Sequence, residues 1–211
     1  MSRNYQKEME KMLLGIRGRP RLLLHSCCAP CSTAVLEILA SAFSLDVFYY
    51  NPNIEPEGEY RKRLGEQERL LAQAEFAQGV GLIPGEYDNA LFRTRAAGME
   101  RLPEGGARCE ACIRMRMEAT AREASRRGYA YFTTTLSVSP HKNAELINRL
   151  GEELAEAYSV QYLYGDFKKK DGYRRSIQLS KDYSLYRQNY CGCAFGRQKA
   201  LEEEESPCTF D

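Results

Sequence analysis

Residues 22–33 read LLLHSCCAPCST. Leu22, Leu23 and Leu24 make a short continuous apolar run of the kind a strand buried on both faces shows. Three cysteines follow at once, Cys27, Cys28 and Cys31, and Ser32 and Thr33 then open TAVLEILA, an apolar stretch with helical spacing. The reading is a first strand, a tight connection carrying three thiols, and a helix capped by Ser32. Open α/β sheets bind ligands beyond the carboxyl ends of their strands. The thiols therefore stand where such a fold normally holds its ligand.

Working outward, the alternation repeats. Tyr5 to Ile16 reads as an amphipathic helix, LDVFYYNP as a second strand ended by Asn51 and Pro52, and PEGEYRKRLGEQERLLAQAEFAQG as a long charged helix with Gly79 at its C-cap. GLIPGEY is a third strand, CEACIRMRMEATAREASRRG a helix ending near Gly128, and YAYFTTTLSVS a fourth strand. NAELINRLGEELAEAY is a helix and VQYLYGDF a fifth strand. From Lys168 onward helix and loop mix, and EEEE near the end is expected to be a solvated helix face. Strands separated by helices, with few hairpin signals, give an α/β chain: a three-layer, doubly wound, mainly parallel sheet of the Rossmann-like kind. One domain is expected over residues 1–211, with residues 1–20 an N-terminal helix and 197–211 a peripheral acidic tail.

The chain has 211 residues, 43% of them hydrophobic, which is enough for a sizeable core. Charged residues of both signs nearly cancel, leaving +1, so there is no global basic field and any nucleic acid must bind a local patch. No run approaches the ~18 apolar residues of a membrane span. The N-terminus lacks the apolar core and cleavage site of a signal peptide. The expected location is the cytoplasm. Eight cysteines in a reducing compartment favour metal binding or redox chemistry over a disulfide framework.

Seven of the eight cysteines fall into three clusters: Cys27, Cys28 and Cys31; Cys109 and Cys112; Cys191 and Cys193. The C-x-x-C spacings let two thiolates grip one ion or two corners of a cluster. A structural zinc site is the plainer reading, but zinc takes four ligands, and adjacent Cys27 and Cys28 fit poorly on one tetrahedral ion. Thiolates in excess of four suit an iron–sulfur cluster with further redox-active or metal-binding thiols beside it. CGC places a glycine between Cys191 and Cys193, and a disulfide across it is strained and readily reduced. Cys208, near the terminus, is read as incidental. His25, at the end of the first strand, is read as a satisfied core residue. His141 is a candidate acid or phosphate contact. KKKDGYRRS brings together Lys168, Lys169, Lys170, Tyr173, Arg174 and Arg175, and the chain runs on through Tyr190 to the last thiols. Basic residues and tyrosines leading to redox thiols suit an anionic, aromatic substrate.

Together, HSCCAPCS, CEACIRMR, TTTLSVSPHKN and GYRRSIQLSKDYSLYRQNYCGC resemble the QueH family of epoxyqueuosine reductases over about Leu22 to Gly196. The resemblance implies the last step of queuosine biosynthesis: loss of the epoxide oxygen of epoxyqueuosine at the wobble position of certain tRNAs, without cobalamin. It implies a [4Fe–4S] cluster on Cys27, Cys28, Cys109 and Cys112, with Cys191 and Cys193 a redox-active pair or ligands to an adjacent mononuclear iron that Cys31 can join. The partners implied are tRNA and an external electron donor; the candidate tRNA contacts read from the residues themselves are Lys168, Lys169, Lys170, Tyr173, Arg174, Arg175, Tyr190 and His141.

Two rivals stand beside this reading. ATP-using tRNA thiolases share an adenine-nucleotide-hydrolase-like sheet and can carry clusters, but they need a glycine-rich phosphate loop after the first strand. HSCCAPCS has no glycine, so metal ligands take the place of the phosphate loop. The other rival is a zinc-stabilised tRNA-binding module, which would be colourless.

Overall fold

The computed structural model describes residues 3–197. Cys208 and the acidic tail from 198 onward lie outside them. The strands are β1 (Arg21–His25), β2 (Ser44–Tyr49), β3 (Gly81–Pro84), β4 (Tyr131–Thr134) and β5 (Gln161–Tyr162). The longer helices are α1 (Tyr5–Gly15), α2 (Ala29–Leu39), α3 (Glu57–Gln73), α4 (Asn89–Ala96), α5 (Ala107–Arg126), α6 (Ala144–Tyr158) and α7 (Gly172–Asp182). No helix among the described residues is long and apolar enough to cross a membrane.

All four strand pairings are parallel, in the order β3-β2-β1-β4-β5. The opening leucines form the central strand, fully buried. Strand geometry turns alternate side chains to opposite faces. Leu22 and Leu24 pack with Val35, Leu36 and Leu39 of α2 and Leu70 of α3. Leu23 packs with Ile113 and Met117 of α5 and Ile147 and Leu150 of α6. One strand thus joins both halves of a three-layer core. β2 and β3 lie on one side of β1 and β4 and β5 on the other, so the strand order reverses between β1 and β4. Such a reversal opens a crevice at the carboxyl edge of the sheet.

Local chemistry moves several boundaries. Ser32 is not the cap of α2; Cys28 occupies that position and Pro30 the first turn, so Cys31 sits inside the helix. The Ser32 hydroxyl points inward and donates to Cys28 O at 3.0 Å. α3 ends at Gln73, and a short 3-10 turn, Glu75–Ala77, precedes Gly79 at φ +78. α4 had no sequence expectation; the Asp88 side chain caps it by accepting from Leu91 N. β4 gives way to a 3-10 turn over Thr135–Val138. β5 keeps only two residues: Leu163 N still donates to Phe132 O at 3.0 Å, but Leu163 O accepts from the Thr133 hydroxyl at 2.9 Å, and the Asn148 side chain brackets Gly165 beyond it, accepting from its N at 2.9 Å and donating to its O at 3.0 Å.

Candidate metal centre

The first thiol group grows directly from β1. Ser26 N continues the ladder to Phe48 O at 3.0 Å, and α2 begins two residues after Cys27. Cys28 and Cys31 lie at the N-terminal end of α2, where the helix dipole favours negative charge. The three sulfurs of Cys27, Cys28 and Cys31 all lie within 4.8 Å of one another, a spacing able to hold a metal. Thr135, just past β4, accepts from Cys27 N at 3.2 Å and donates to Cys27 Sγ at 3.4 Å. Beneath the turn, Ser26 and Ser32 hydroxyls lie 2.6 Å apart and reach Gln67 Oε1 of α3 at 2.7 and 2.8 Å. Asn51 Nδ2 donates to Ser26 O at 2.8 Å. Hydrogen bonds from Cys27 and then Cys31 hold the Cys28 thiol well below its ordinary range. The same contacts push Cys27, through Cys28, up to about 11 and raise Cys31, through Cys27.

His25 belongs to the frame. Its Nε2 lies 3.1 Å from Tyr50 O, which can only accept, so Nδ1 accepts from the Thr134 hydroxyl at 2.8 Å. Burial pushes its pKa down to about 4 and keeps it neutral.

The second group comes from α5 and the C-x-C turn. Cys109 and Cys112 are three apart on the first turns of α5, again at a positive helix end. Gly105 N donates to Cys109 Sγ at 3.3 Å and Gly196 N to Cys193 Sγ at 3.4 Å. Cys109, Cys112, Cys191 and Cys193 line a small cavity of about 20 Å³. Burial pushes Cys112 up to about 11 and also raises Cys193. A larger cavity of about 470 Å³ adjoins it, lined by Cys27, Cys31, Cys191, His141, Tyr173, Arg187 and Tyr190. Glu104, Arg116, Lys142, Cys191 and Gly196 line both. All seven described cysteines are free thiols.

The C-x-C turn is docked on the loop before α3 and on α3 itself. Glu55 N donates to Gly192 O at 2.8 Å, and the buried Arg63 donates to Cys191 O at 3.3 Å. Glu59 fixes Arg63 at 2.6 Å, and Tyr190 OH donates to Glu55 O at 3.2 Å. Gly192 has φ +124, a conformation closed to ordinary L-residues.

The basic stretch is less free than its sequence suggests. Lys168 and Lys169 pair with Asp166 at 2.8 and 3.6 Å, Lys170 with Glu10, Arg174 with Asp171 at 3.3 Å, and Arg175 with Glu37 at 2.5 Å. His141, Tyr173 and Tyr190 do reach the large cavity. Arg63, Arg116, Lys142 and Arg187 were not singled out from sequence. Only Arg116 carried a readable signal: it follows Cys109 by seven and Cys112 by four, which is one face of a helix.

A parallel sheet whose switch-point crevice holds thiols in place of a phosphate loop defines an α/β protein with a cysteine group that could hold a metal. Comparison with known proteins narrows this. The family model described as epoxyqueuosine reductase QueH matches residues 22–199. The chain is 43% identical over 203 residues to epoxyqueuosine reductase QueH of Staphylococcus epidermidis, covering 93% of this chain and 85% of that one. To the protein of that name from Thermotoga maritima it is 38% identical over 188 residues, 86% of this chain and 93% of the relative. The Haemophilus influenzae relative of that name is 42% identical over 180 residues, 84% of this chain and 72% of its own length. The chain belongs to the QueH family and is an oxidoreductase.

Proposed function

We propose that this enzyme reduces epoxyqueuosine to queuosine in tRNA, with a [4Fe–4S] cluster on Cys27, Cys28, Cys109 and Cys112. In this reading an adjacent iron can draw on Cys31, Cys191 and Cys193. The observation that carries the proposal is that six thiols line two adjoining cavities, the larger of about 470 Å³, with the seventh, Cys28, within 4.8 Å of the Cys27 and Cys31 sulfurs. That volume lies in the range of small-molecule sites. The donor set fits the group: soft thiolates at two helix N-termini, with backbone N–H groups donating to Cys109 and Cys193 sulfurs. When bound, such a cluster passes electrons singly and a neighbouring iron can polarise a C–O bond.

The protein's own residues account for the rest. Converting an epoxide to an alkene consumes two electrons and two protons and releases water. Oxidation of the Cys191 and Cys193 thiols to a disulfide releases two electrons and two protons, and an external donor must then restore the thiols. The strain of a C-x-C disulfide makes that return easy. Tyr173 and Tyr190, on the wall of the large cavity, are candidates to stack on an extruded wobble base. Lys168, Lys169, Lys170, Arg174, Arg175 and His141 are the candidate phosphate contacts. The ion pair of Arg174 is solvent-exposed and worth little, so phosphate can displace its carboxylate, whereas Arg175 holds Glu37 through two parallel bonds and yields less readily.

The test is anaerobic turnover of epoxyqueuosine-containing tRNA by reconstituted protein with a chemical reductant. Queuosine formation that tracks iron and sulfide content is the expected result. A colourless zinc protein that binds tRNA without turnover would overturn the proposal in favour of a zinc-stabilised binding module.

A further inference from the structure

Three arginines are buried among the described residues: Arg63, Arg108 and Arg116. A guanidinium keeps its charge at any ordinary pH, so each must be compensated. Arg63 has the Glu59 carboxylate at 2.6 Å. Arg108 donates to three carbonyls, Met99 O, Glu100 O and Leu102 O, at 3.2, 2.7 and 2.7 Å. Arg116 has much less. Only its Nε is engaged, on Cys112 O at 3.2 Å, and no described carboxylate lies within ion-pair distance. Its neighbour Lys142 does have one, Glu104 at 3.3 Å. Yet Arg116 is 2% exposed, buried in the wall between the two thiol-lined cavities. Burial opposes its charge, and the sulfurs of Cys112, Cys191, Cys27 and Cys193, drawn from all three cysteine clusters, favour it.

We propose that Arg116 is the countercharge of the metal–thiolate centre: a positioning residue that favours the anionic, metal-bound thiolates and the more negative, reduced state of the centre. The inference rests on the reading that these thiols hold metal. Four thiolates around one divalent ion leave a net double negative charge. Away from bulk water such an anion needs a cation nearby, and the buried guanidinium has no carboxylate of its own, since Glu104, the acid lining the same two cavities, is paired with Lys142. Each unbalanced charge answers the other. Helical spacing enforces the arrangement, because Cys109, Cys112 and Arg116 share one face of α5. Arginine suits the role better than lysine in one respect, since it cannot shed its proton when the thiols are protonated and uncharged.

The experiment compares full-length parent, Arg116→Gln and Arg116→Lys under anaerobic conditions. Cadmium is titrated against a competing chelator, and the thiolate absorption band reports occupancy. Arg116→Gln should bind cadmium about 10- to 100-fold more weakly, the range typical of groups that support metal ligands. Arg116→Lys should stay within about threefold of the parent, which the loss of the bond to Cys112 O alone would not predict. In iron-loaded protein the midpoint potential, read by electron paramagnetic resonance, should move to more negative values in Arg116→Gln only. Metal-free Arg116→Gln should melt no lower than the metal-free parent, because an unbalanced buried charge has been removed. Parent-like cadmium affinity and potential in Arg116→Gln would overturn the proposal. Equal weakening in both variants, or a metal-free Arg116→Gln that melts lower or fails to fold, would also overturn it, making Arg116 a structural hydrogen-bond donor. A parent that takes up cadmium but neither iron nor sulfide would sink the iron–sulfur reading while leaving the countercharge result intact.

Discussion

We predict that one methyl group at Gly192 separates the chemistry of the C-x-C turn from the stability of the fold. Gly192 has φ +124, where an L-residue stores about 1–3 kcal/mol of backbone strain. A Cβ there would also stand 2.9 Å from Ile54 Cγ1 and 3.1 Å from Arg63 Nη1. Neither neighbour can yield easily: Ile54 and Arg63 are each 1% exposed, and Arg63 is held by Glu59. The turn itself is held by two hydrogen bonds, Glu55 N to Gly192 O at 2.8 Å and Arg63 to Cys191 O at 3.3 Å. It is the softer partner, so it should shift or undock. Strain of that size changes the balance between docked and undocked turns about 5- to 150-fold. A displacement of about 1 Å in a reacting group can by itself cost about 100-fold in rate. Gly192→Ala should therefore lose at least about tenfold in anaerobic turnover, while maleimide labelling of Cys193, mapped by mass spectrometry, accelerates. Gly79→Ala is the control. It has φ +78 with nothing within 4 Å of the added Cβ, so it carries the strain without the clash and lies away from the thiols. It should lose comparable stability with unchanged turnover. A Gly192→Ala enzyme that turns over like Gly79→Ala and labels at the parent rate would refute the reasoning.

Three further outcomes are expected. Replacing Cys27, Cys28, Cys109 or Cys112 by Ser should sharply reduce iron and sulfide content, whereas Cys191→Ser or Cys193→Ser should stop turnover and spare most of the cluster spectrum; full iron retention in Cys109→Ser and Cys112→Ser would exclude them as ligands. Replacing Lys168, Lys169, Lys170, Arg174 and Arg175 by Ala should weaken tRNA binding and make its salt dependence shallower by about one log–log unit per lost phosphate contact; since all five cations have carboxylate partners, an unchanged slope would move the contact to the cavity rim around Arg187. Burial holds His25 down to about 4, below its unfolded value of about 6.5, so the unfolded chain binds more protons between those values. Its contribution, on the order of 3 kcal/mol, is complete above about pH 6.5 and lost as pH falls towards 4; urea unfolding should show the parent losing stability over that window relative to His25→Gln, and parallel curves would contradict the buried neutral imidazole.

The sequence was sufficient for the order of the five strands and for the central strand, though not for α4. Leu22, Leu23 and Leu24 form a continuous apolar run because both sheet faces are covered, and that run marks a parallel sheet before any contact is known. The thiol clusters were equally legible, since cysteine is rare and its short spacings are chemical statements in themselves. What the sequence could not decide was compensation at a distance. Whether Lys170 is free or paired depends on Glu10, and whether Arg175 is free depends on Glu37, 138 residues away in the chain. Whether Arg116 has a counter-ion depends on which carboxylates the fold happens to bring near it. The cap of α2 falls at Cys28 and not at Ser32, whose hydroxyl inside the helix turns to Gln67 of α3, a partner 35 residues away. Periodicity and propensity act over a few residues and survive in the linear order. The pairing of charges and the docking of the C-x-C turn against Arg63 arise only when elements far apart in the chain are packed side by side, so only the tertiary structure could supply them.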